Sequence, residues 1–283
     1  MRGMARFRRV ETYPPTGSPD RLWGSSPDAL GNPVHDAFLR AARSVVELYS
    51  SALDGLALDA GRSSLRLAVG ERLVDDQVSV EVWRDRRGLP SEPGFVHRTP
   101  DVASLAAGGR ARLALEVVDT AVRLLGDARG WDPAGLDACR AHVEDSGYAF
   151  RWASAWRPSP DRRHRARAIF RLDTSDGFGR ARLEVGDRAA DEVVLTSGEA
   201  VAFCTSAGFT RSARSLAWSG PDEVSFTPYS GLVPAHDGGP LTARATVEGW
   251  HAELPEPVVV RTPGEGLVEE AGAAVPTVTG SLT

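Results

Sequence analysis

The chain has 283 residues, a formal net charge of −5 and 42% apolar residues, and all 33 of its basic residues are arginine because it contains no lysine. The length and the apolar fraction suffice for one large or two modest globular domains, while the negative charge argues against non-specific coating of nucleic acid. The absence of lysine excludes a Schiff-base lysine and the phosphate-binding lysines of P-loop proteins and kinases. Together with one Asn, one Gln and one Ile, it also indicates the codon bias of a GC-rich genome.

The chain begins with a segment rich in proline, glycine and serine. Residues 1–31 predict an extended arm that includes a short strand at 6–13. Asn32 and Pro33 are typical of an N-cap followed by the first position of a helix, and the apolar spacing that follows predicts a helix over 33–53.

Two alternating segments, SLRLAVG and VSVEVWR, come next and predict a β-hairpin. The register that places Leu67 opposite Val80 also places Arg66 across from Glu81, which is a complementary charge pair. The following segment, 85–100, is rich in proline and glycine and predicts a loop.

The middle of the chain predicts two more helices, over 109–125 and 133–146, and then strands. The segment YAFRWASAW, 148–156, alternates aromatic and other residues with the period of a strand. A second hairpin follows and ends near residue 186.

Short strand candidates fill the rest of the chain, separated by turn sequences such as SGPDE and HDGGP. They are 192–196, 200–204, 213–218, 223–227, 242–249 and 257–262.

Together these elements predict an α+β protein in which antiparallel β-hairpins form a sheet that is packed by three main helices. The predicted parts are an extended arm (1–31), an α+β core of two helix-plus-hairpin units (32–186), a β-rich C-terminal part in the same or a second domain (187–262), and a disordered tail (263–283).

The second hairpin has an unusual charge pattern. The stretch SPDRRHRARAIFRLDTSDGFGRARLEV, 159–185, carries seven arginines against three aspartates and one glutamate. Alternation places its apolar residues on one side of the sheet and five arginines on the other, a surface that we name the arginine face: Arg165, Arg167, Arg171, Arg180 and Arg182. Any register that pairs the apolar residues sets Arg171 across from Arg180 or Arg182, and like charges directly opposite each other destabilise the pair.

Three interpretations of the arginine face are open. Acidic residues elsewhere in the chain, such as Glu144, Asp145 or Asp187, neutralise it; or it docks an acidic protein surface, a role in which arginine is favoured over lysine; or it binds phosphate or nucleic acid, with the aromatic residues of 148–156 stacking on bases. Because a row of aromatic residues is more often part of a core, the acidic protein surface is preferred to nucleic acid.

Signals for export, metals and cofactors are weak. The sequence contains neither an apolar run of 18 residues nor an apolar segment after its basic start, so we expect no membrane span and cytoplasmic residence. Cys139 and Cys204 are too few for a disulfide framework or a CxxC metal site, and whether they are close is left open. We expect neither a metal nor a cofactor.

Catalytic motifs are equally weak. His35 and His236 stand in His-Asp pairs but in different kinds of segment, and the WHAE segment at His251 lacks the Pro-Cys-x-x-Cys half of a zinc-deaminase signature. The segment DTSDGFG lacks the closing glutamate of a calcium loop and is typical of a hairpin turn.

The sequence therefore predicts a cytoplasmic bacterial binding or interaction protein, including an inhibitor or immunity-type partner, that docks an anionic partner on the arginine face. The alternative is a hydrolase or phosphoryl-handling enzyme for a phosphate-containing substrate, in which Asp173 or Asp176 acts beside the arginines.

Overall fold

The computed structural model describes residues 5–13, 33–71, 77–84, 90–98, 105–228, 239–257 and 273–283. Within these ranges it contains four helices: α1 (Pro33–Leu56), α2 (Ala107–Arg129), α3 (Pro133–Asp145) and α4 (Ser206–Arg214). None of these four helices combines the length and the apolarity needed to cross a lipid bilayer.

The strands of the same ranges form three larger sheets and one short pair. In chain order they are β1 (Ala5–Arg6), β2 (Arg9–Tyr13), β3 (Asp59–Ala60), β4 (Ser64–Glu71), β5 (Val78–Arg84), β6 (Pro90–Arg98), β7 (Arg151–Ala153), β8 (Arg157–Pro158), β9 (His164–Leu172), β10 (Gly179–Asp187), β11 (Glu192–Thr196), β12 (Ala200–Ala202), β13 (Ala217–Gly220), β14 (Glu223–Phe226), β15 (Leu241–Thr246), β16 (Gly249–Glu253) and β17 (Val278–Leu282).

A five-stranded sheet has the order β17-β5-β6-β4-β2. β5 and β6 are antiparallel, and the other three neighbouring pairs are parallel. The predicted hairpin of β4 with β5 is therefore wrong, because β6 lies between them: Leu67 is beside Gly94, and Val80 is beside Val96. The predicted apolar faces of β4 and β5 are nevertheless fully buried.

β6 occupies residues 90–98 of the segment predicted as a loop. Its sequence, PSEPGFVHR, contains two prolines and a glycine, which hide the strand pattern. A Cβ atom at Gly94 would lie 2.9 Å from the backbone oxygen of Glu81 and 3.0 Å from Cδ2 of Leu67. The glycine therefore permits the close approach of β6 to its neighbours on both sides.

The two ends of the described chain lie at the two edges of this sheet. β17 runs parallel to β5, so the predicted disordered tail is wrong for residues 278–282, whereas 263–272 lie outside the described residues. Gly280 of β17 lies against α2, where Thr120 and Leu124 pack over it. The predicted strand at 6–13 is confirmed as β1 and β2, and the rest of the predicted arm, from residue 14 to 31, lies outside the described residues.

A six-stranded antiparallel sheet has the order β11-β10-β9-β7, with β12 also on β10 and β8 also on β9. β9 and β10 form the predicted basic hairpin. β11 and β12 belong to the region predicted as a β-rich C-terminal part, and both pair with β10, so this region enters the sheet of the preceding segment. The remaining antiparallel sheet has the order β13-β14-β15-β16.

α4 occupies a place where the sequence predicts part of a strand, at 213–218. The side chain of Thr205 caps the helix by accepting a hydrogen bond from the N–H of Gly208. Phe209 and Ala213 are the apolar residues that α4 buries, and two such residues in one short helix are a weak sequence signal. The last predicted strand, 257–262, lies outside the described residues apart from its first position.

The helices and sheets share one large buried core, beside which Phe178, Phe203 and Cys204 form a small second cluster. α1 and α2 pack on the five-stranded sheet, and the buried residues continue into the other two sheets. The predicted α+β class, with its antiparallel hairpins, is confirmed, and the described ranges hold four helices instead of the three main ones predicted. The five-stranded sheet departs from the prediction because it is mixed.

A buried carboxylate ties the three long helices together. Asp119 of α2 accepts hydrogen bonds from Tyr49 Oη of α1 at 2.8 Å and from Arg140 of α3 at 3.3 Å, and it also accepts one from Arg123 at 2.8 Å. Burial, together with this carboxylate, raises the pKa of the Tyr49 hydroxyl. Because all these groups are paired, the network fixes the positions of the helices relative to one another.

Candidate functional site

The register of β9 with β10 confirms the predicted separation of the two faces of the hairpin. The seven apolar residues predicted for the core side are buried: Ala166, Ala168, Phe170, Leu172, Ala181, Leu183 and Val185. Arg171 lies directly across from Arg180, which is one of the two partners that alternation predicts. The like-charge contact is therefore present in the fold.

Glu199 compensates for this contact. It stands just before β12, which pairs with β10, and it accepts hydrogen bonds from Arg171 at 3.0 and 2.8 Å and contacts Arg182 at 2.8 Å. The hydrogen bonds from Arg171 lower the pKa of Glu199, as expected for a carboxylate that two guanidinium groups surround. Arg171 also binds Asp173 at 3.0 Å.

Each of the other three arginines of the face also contacts a carboxylate of the same chain. The pairs are Arg167–Glu184, Arg180–Asp176 and Arg165–Asp191. The arginine face is thus neutralised within the protein, as the first of the three interpretations expects.

The carboxylates that neutralise the face are not those named from the sequence. Glu144 binds Arg140 within α3, and Asp187 accepts hydrogen bonds from backbone N–H groups of the following turn. Asp173 and Asp176 carry a sequence signal, since they stand in the hairpin turn beside Arg171 and Arg180. Glu199 carries none, because the pairing of β12 with β10 brings it to the face.

The side chains of the arginine face are partly shielded from solvent. The exposed fraction of its side chains runs from 19% for Arg180 to 49% for Arg182. Trp156 lies under two of them, with the guanidinium carbons of Arg165 and Arg167 at 4.6 and 4.4 Å from its ring centroid. Binding of an anionic partner to these five arginines stays a prediction.

The aromatic residues of 148–156 do not form a continuous row. Phe150 stacks on Phe209 at 6.2 Å, and Trp152 lies 5.6 Å from Phe170, so both rings belong to the core side. The interruption between β7 and β8 turns Trp156 to the arginine face. Rings divided between two faces do not provide the stacking platform that single-stranded nucleic acid requires.

β7 adds a sixth arginine to the same row. Arg151 lies directly across from Arg171, which in turn lies across from Arg180, so three arginines stand side by side on three neighbouring strands. Arg151 is exposed, and within the described part of the chain it contacts no carboxylate. The alternation of YAFRWASAW predicts that Arg151 lies on the side opposite Phe150 and Trp152. The pattern of the basic hairpin does not include Arg151, because this residue lies outside 159–185.

A cleft of about 1070 Å³ opens beside Arg151. β2, α1, residues 149–152 at β7 and residues 204–207 at the start of α4 line it, and the lining from α1 includes both apolar residues and polar ones such as Glu47. Glu47 accepts a hydrogen bond from the backbone N–H of Ser206 at 3.1 Å, and Asp54 contacts Arg8 at 3.6 Å. These lining charges are therefore paired within the chain, in contrast to Arg151.

The histidine fragments do not assemble into a site. Among the described residues, no group of three or more His, Cys, Asp or Glu side chains is placed to hold a metal ion. His236 and the side chain of His35 lie outside the described residues. The segment DTSDGFG is confirmed as a hairpin turn, in which Gly177 has a φ of +67° and Asp173 accepts the N–H of Ser175.

Both cysteines are free and buried. Burial raises the pKa of the Cys139 thiol to about 11, and burial likewise raises the pKa of Cys204. Both sulfurs are therefore protonated at neutral pH, which is the less reactive form of a thiol.

Comparison with known proteins provides no relative. No family model matches the chain, and neither a curated protein nor a solved structure matches it significantly.

Proposed function

We propose that this is a binding protein for an acidic partner protein, and that Arg151 is the group that holds a carboxylate of the partner. The observation that carries the proposal is the state of Arg151: it is exposed, it opens into the cleft, and it stands beside Arg171 without a carboxylate of its own in the described ranges. The arginine face next to it is already compensated by five carboxylates. A partner carboxylate at Arg151 therefore completes the pattern that the chain follows elsewhere.

Arginine suits this role because its planar guanidinium binds a carboxylate through two parallel hydrogen bonds and remains charged at every physiological pH. The cleft volume of about 1070 Å³ lies just above the range of roughly 300–1,000 Å³ that is typical of small-molecule pockets, which favours a ligand the size of a peptide. Cytoplasmic residence in a bacterium and an inhibitor or immunity-type role belong to the same proposal. The lysine-free composition supports the bacterial origin.

The test uses a fluorescent peptide in which glutamate alternates with valine, and it measures binding by anisotropy. R151E is expected to weaken binding at least about tenfold, because a charge-assisted hydrogen bond contributes roughly 1.5–3 kcal/mol. The matched control is R163E, since the Arg163 side chain is 83% exposed and does not line the cleft. Raising the ionic strength is expected to weaken binding to the wild type and to leave R151E nearly unchanged.

Two further probes decide between partner classes: the same peptide with glutamine in place of glutamate, and a single-stranded oligonucleotide. We expect the glutamine peptide to bind the wild type as weakly as the glutamate peptide binds R151E. Equal affinity of wild type and R151E for the glutamate peptide contradicts the proposal. Binding of the oligonucleotide but not of the glutamate peptide also overturns it, in favour of a phosphate-containing ligand.

A further inference from the structure

β7 is an edge strand whose outer side is open. Its pairing with β9 uses the backbone of every second residue: Leu172 N–H donates to the oxygen of Phe150 at 3.0 Å, and Ser154 N–H donates to the oxygen of Ala168 at 2.9 Å. Residues 150, 152 and 154 thus direct their backbone groups to β9. In an antiparallel pair the residues that alternate with them direct their N–H and C=O groups to the opposite side. Arg151 and Ala153 are those residues, so four backbone groups point away from β9.

These four backbone groups have no partner in the described part of the chain. Both residues are exposed, and Arg151 lines the cleft. β2 also lines the cleft, but one of its outward groups is occupied, because the N–H of Val10 donates to Ser50 Oγ at 3.1 Å. The exposed residues Arg151 and Ala153 therefore make β7 an accessible hydrogen-bonding edge beside the cleft.

We infer that the acidic partner binds by adding an extended segment as an antiparallel strand along the outer edge of β7. This inference rests on the proposed function and names its binding mode. Unpaired N–H and C=O groups of an edge strand are a template for another strand, and addition of a strand supplies affinity through main-chain hydrogen bonds and specificity through alternate side chains. β9 already pairs with β7 in the antiparallel sense, and the new strand continues that pattern.

The register of the added strand specifies the sequence that the partner presents. The partner residue opposite Arg151 forms the hydrogen-bonded pair and places its side chain on the same face as Arg151, so an acidic residue is favoured there. Its two neighbours face the other side of the sheet, where Trp152 is half-buried against the core, and apolar residues are favoured there. The partner segment is therefore a strand in which acidic and apolar residues alternate.

N-methylation of the peptide tests the binding mode. In the antiparallel register the N–H groups of the glutamates face β7, so methyl groups on the glutamate nitrogens are expected to weaken binding at least about tenfold, because the hydrogen bonds of these N–H groups to β7 are lost. Methyl groups on the valine nitrogens, which face away, form the matched control and are expected to leave the affinity within about threefold.

A change in the protein provides a second test. A153P removes the outward N–H of Ala153 without removing a hydrogen bond to β9, a situation in which proline is tolerated on an edge strand, and A153V keeps the N–H as its control. We expect A153P to weaken binding about tenfold and A153V to bind like the wild type. Circular dichroism and thermal unfolding check that both variants fold. If A153P does not fold, the methylated peptides test the binding mode on the wild-type protein.

The outcomes separate this inference from the proposed function. If R151E loses binding while glutamate methylation and A153P have no effect, the partner binds through its carboxylates alone and strand addition is wrong. If methylation of the valines weakens binding and methylation of the glutamates does not, the antiparallel register is wrong. If R151E binds as the wild type does, the proposed function itself fails.

Discussion

The five-stranded and the six-stranded sheet differ in how far apart in the sequence their strands lie. All strands of the six-stranded sheet come from residues 151–202, and its central pair is closed by a short turn. The five-stranded sheet joins residues 9–13 at one edge to residues 278–282 at the other. The first sheet therefore depends on a local turn and on charge compensation, whereas the second depends on the pairing of distant segments.

The largest effect is expected at the far edge of the five-stranded sheet. Ending the chain after Thr277 removes β17, its ladder with β5 and the hydrogen bonds of Thr283 with Val82 and Arg84. The ladder holds about four hydrogen bonds and Thr283 adds two, so at about 1 kcal/mol for each bond the free energy of unfolding should fall by about 6 kcal/mol. Urea unfolding of the two proteins measures the difference.

The control for this truncation is S281A, because Ser281 is exposed on the same strand and its change should cost less than about 0.5 kcal/mol. An unchanged urea midpoint for the truncated chain would show that the distant pairing contributes little, and the contrast between the two sheets would disappear.

The turn of the basic hairpin gives the next effect. Gly177 has a φ of +67°, and a Cβ atom there would lie 2.6 Å from both the Cβ and the backbone oxygen of Arg40 in α1. G177A combines backbone strain with this clash and should lower the free energy of unfolding by about 3 kcal/mol.

Gly130 is a matched control for the turn, since it has a φ of +68° but nothing within 4 Å of its Cβ position. G130A should therefore show the backbone strain alone, about 1 kcal/mol. Equal effects of the two changes, measured by thermal unfolding, would mean that the turn is not held against α1.

The smallest effect concerns charge compensation and depends on pH. Arg171 lowers the pKa of Glu199 in the folded protein below that of an unfolded glutamate, about 4.3. Near these pKa values the folded state binds fewer protons than the unfolded state. The contribution of Glu199 to stability is therefore fully present above the unfolded pKa and is lost as the pH falls through the lowered folded pKa. E199Q should cost about 1 kcal/mol at pH 7, since the pair is partly exposed, and should cost less below about pH 4.

Denaturant unfolding between pH 3 and pH 7 measures this dependence. E253Q is the control, because the side chain of Glu253 is 70% exposed and contacts Arg244 at 3.4 Å. A loss for E199Q that does not change with pH would show that Glu199 acts by packing and not by charge.

The faces of the strands can be predicted from the sequence, but their neighbours cannot. Alternation identifies the buried side of β4, β5, β9 and β10 because a one-residue shift exposes the whole apolar set. It does not exclude the insertion of β6 between β4 and β5, because that depends on the glycine at position 94 and on contacts between distant segments. The turn at 173–178 is local, and for that reason the hairpin of β9 and β10 is predicted, although two registers remain open and the structure has the one that sets Arg171 across from Arg180.

The candidate site divides in the same way. The five arginines, and a like-charge contact of Arg171 with either Arg180 or Arg182, follow from alternation within one hairpin, and the structure selects Arg180. Glu199 and Arg151 reach the row from other strands, β12 and β7, and their positions follow from pairings that the sequence alone does not specify. The charge pattern is thus predicted, but the group that remains available for a partner is not.

The parallel pairing of β17 with β5 has a consequence for biosynthesis. Because chains begin to fold from the N-terminal side during synthesis, the six-stranded sheet has all its strands once residue 202 is available. The outer edge of β5 stays without β17 until residues 278–282 have been made. A nascent chain therefore carries an apolar strand edge from the completion of β5 until β17 has been made, and such an edge invites aggregation. Slow or interrupted translation between residues 203 and 278 should thus favour aggregated product, although all strands of the six-stranded sheet have already been synthesised.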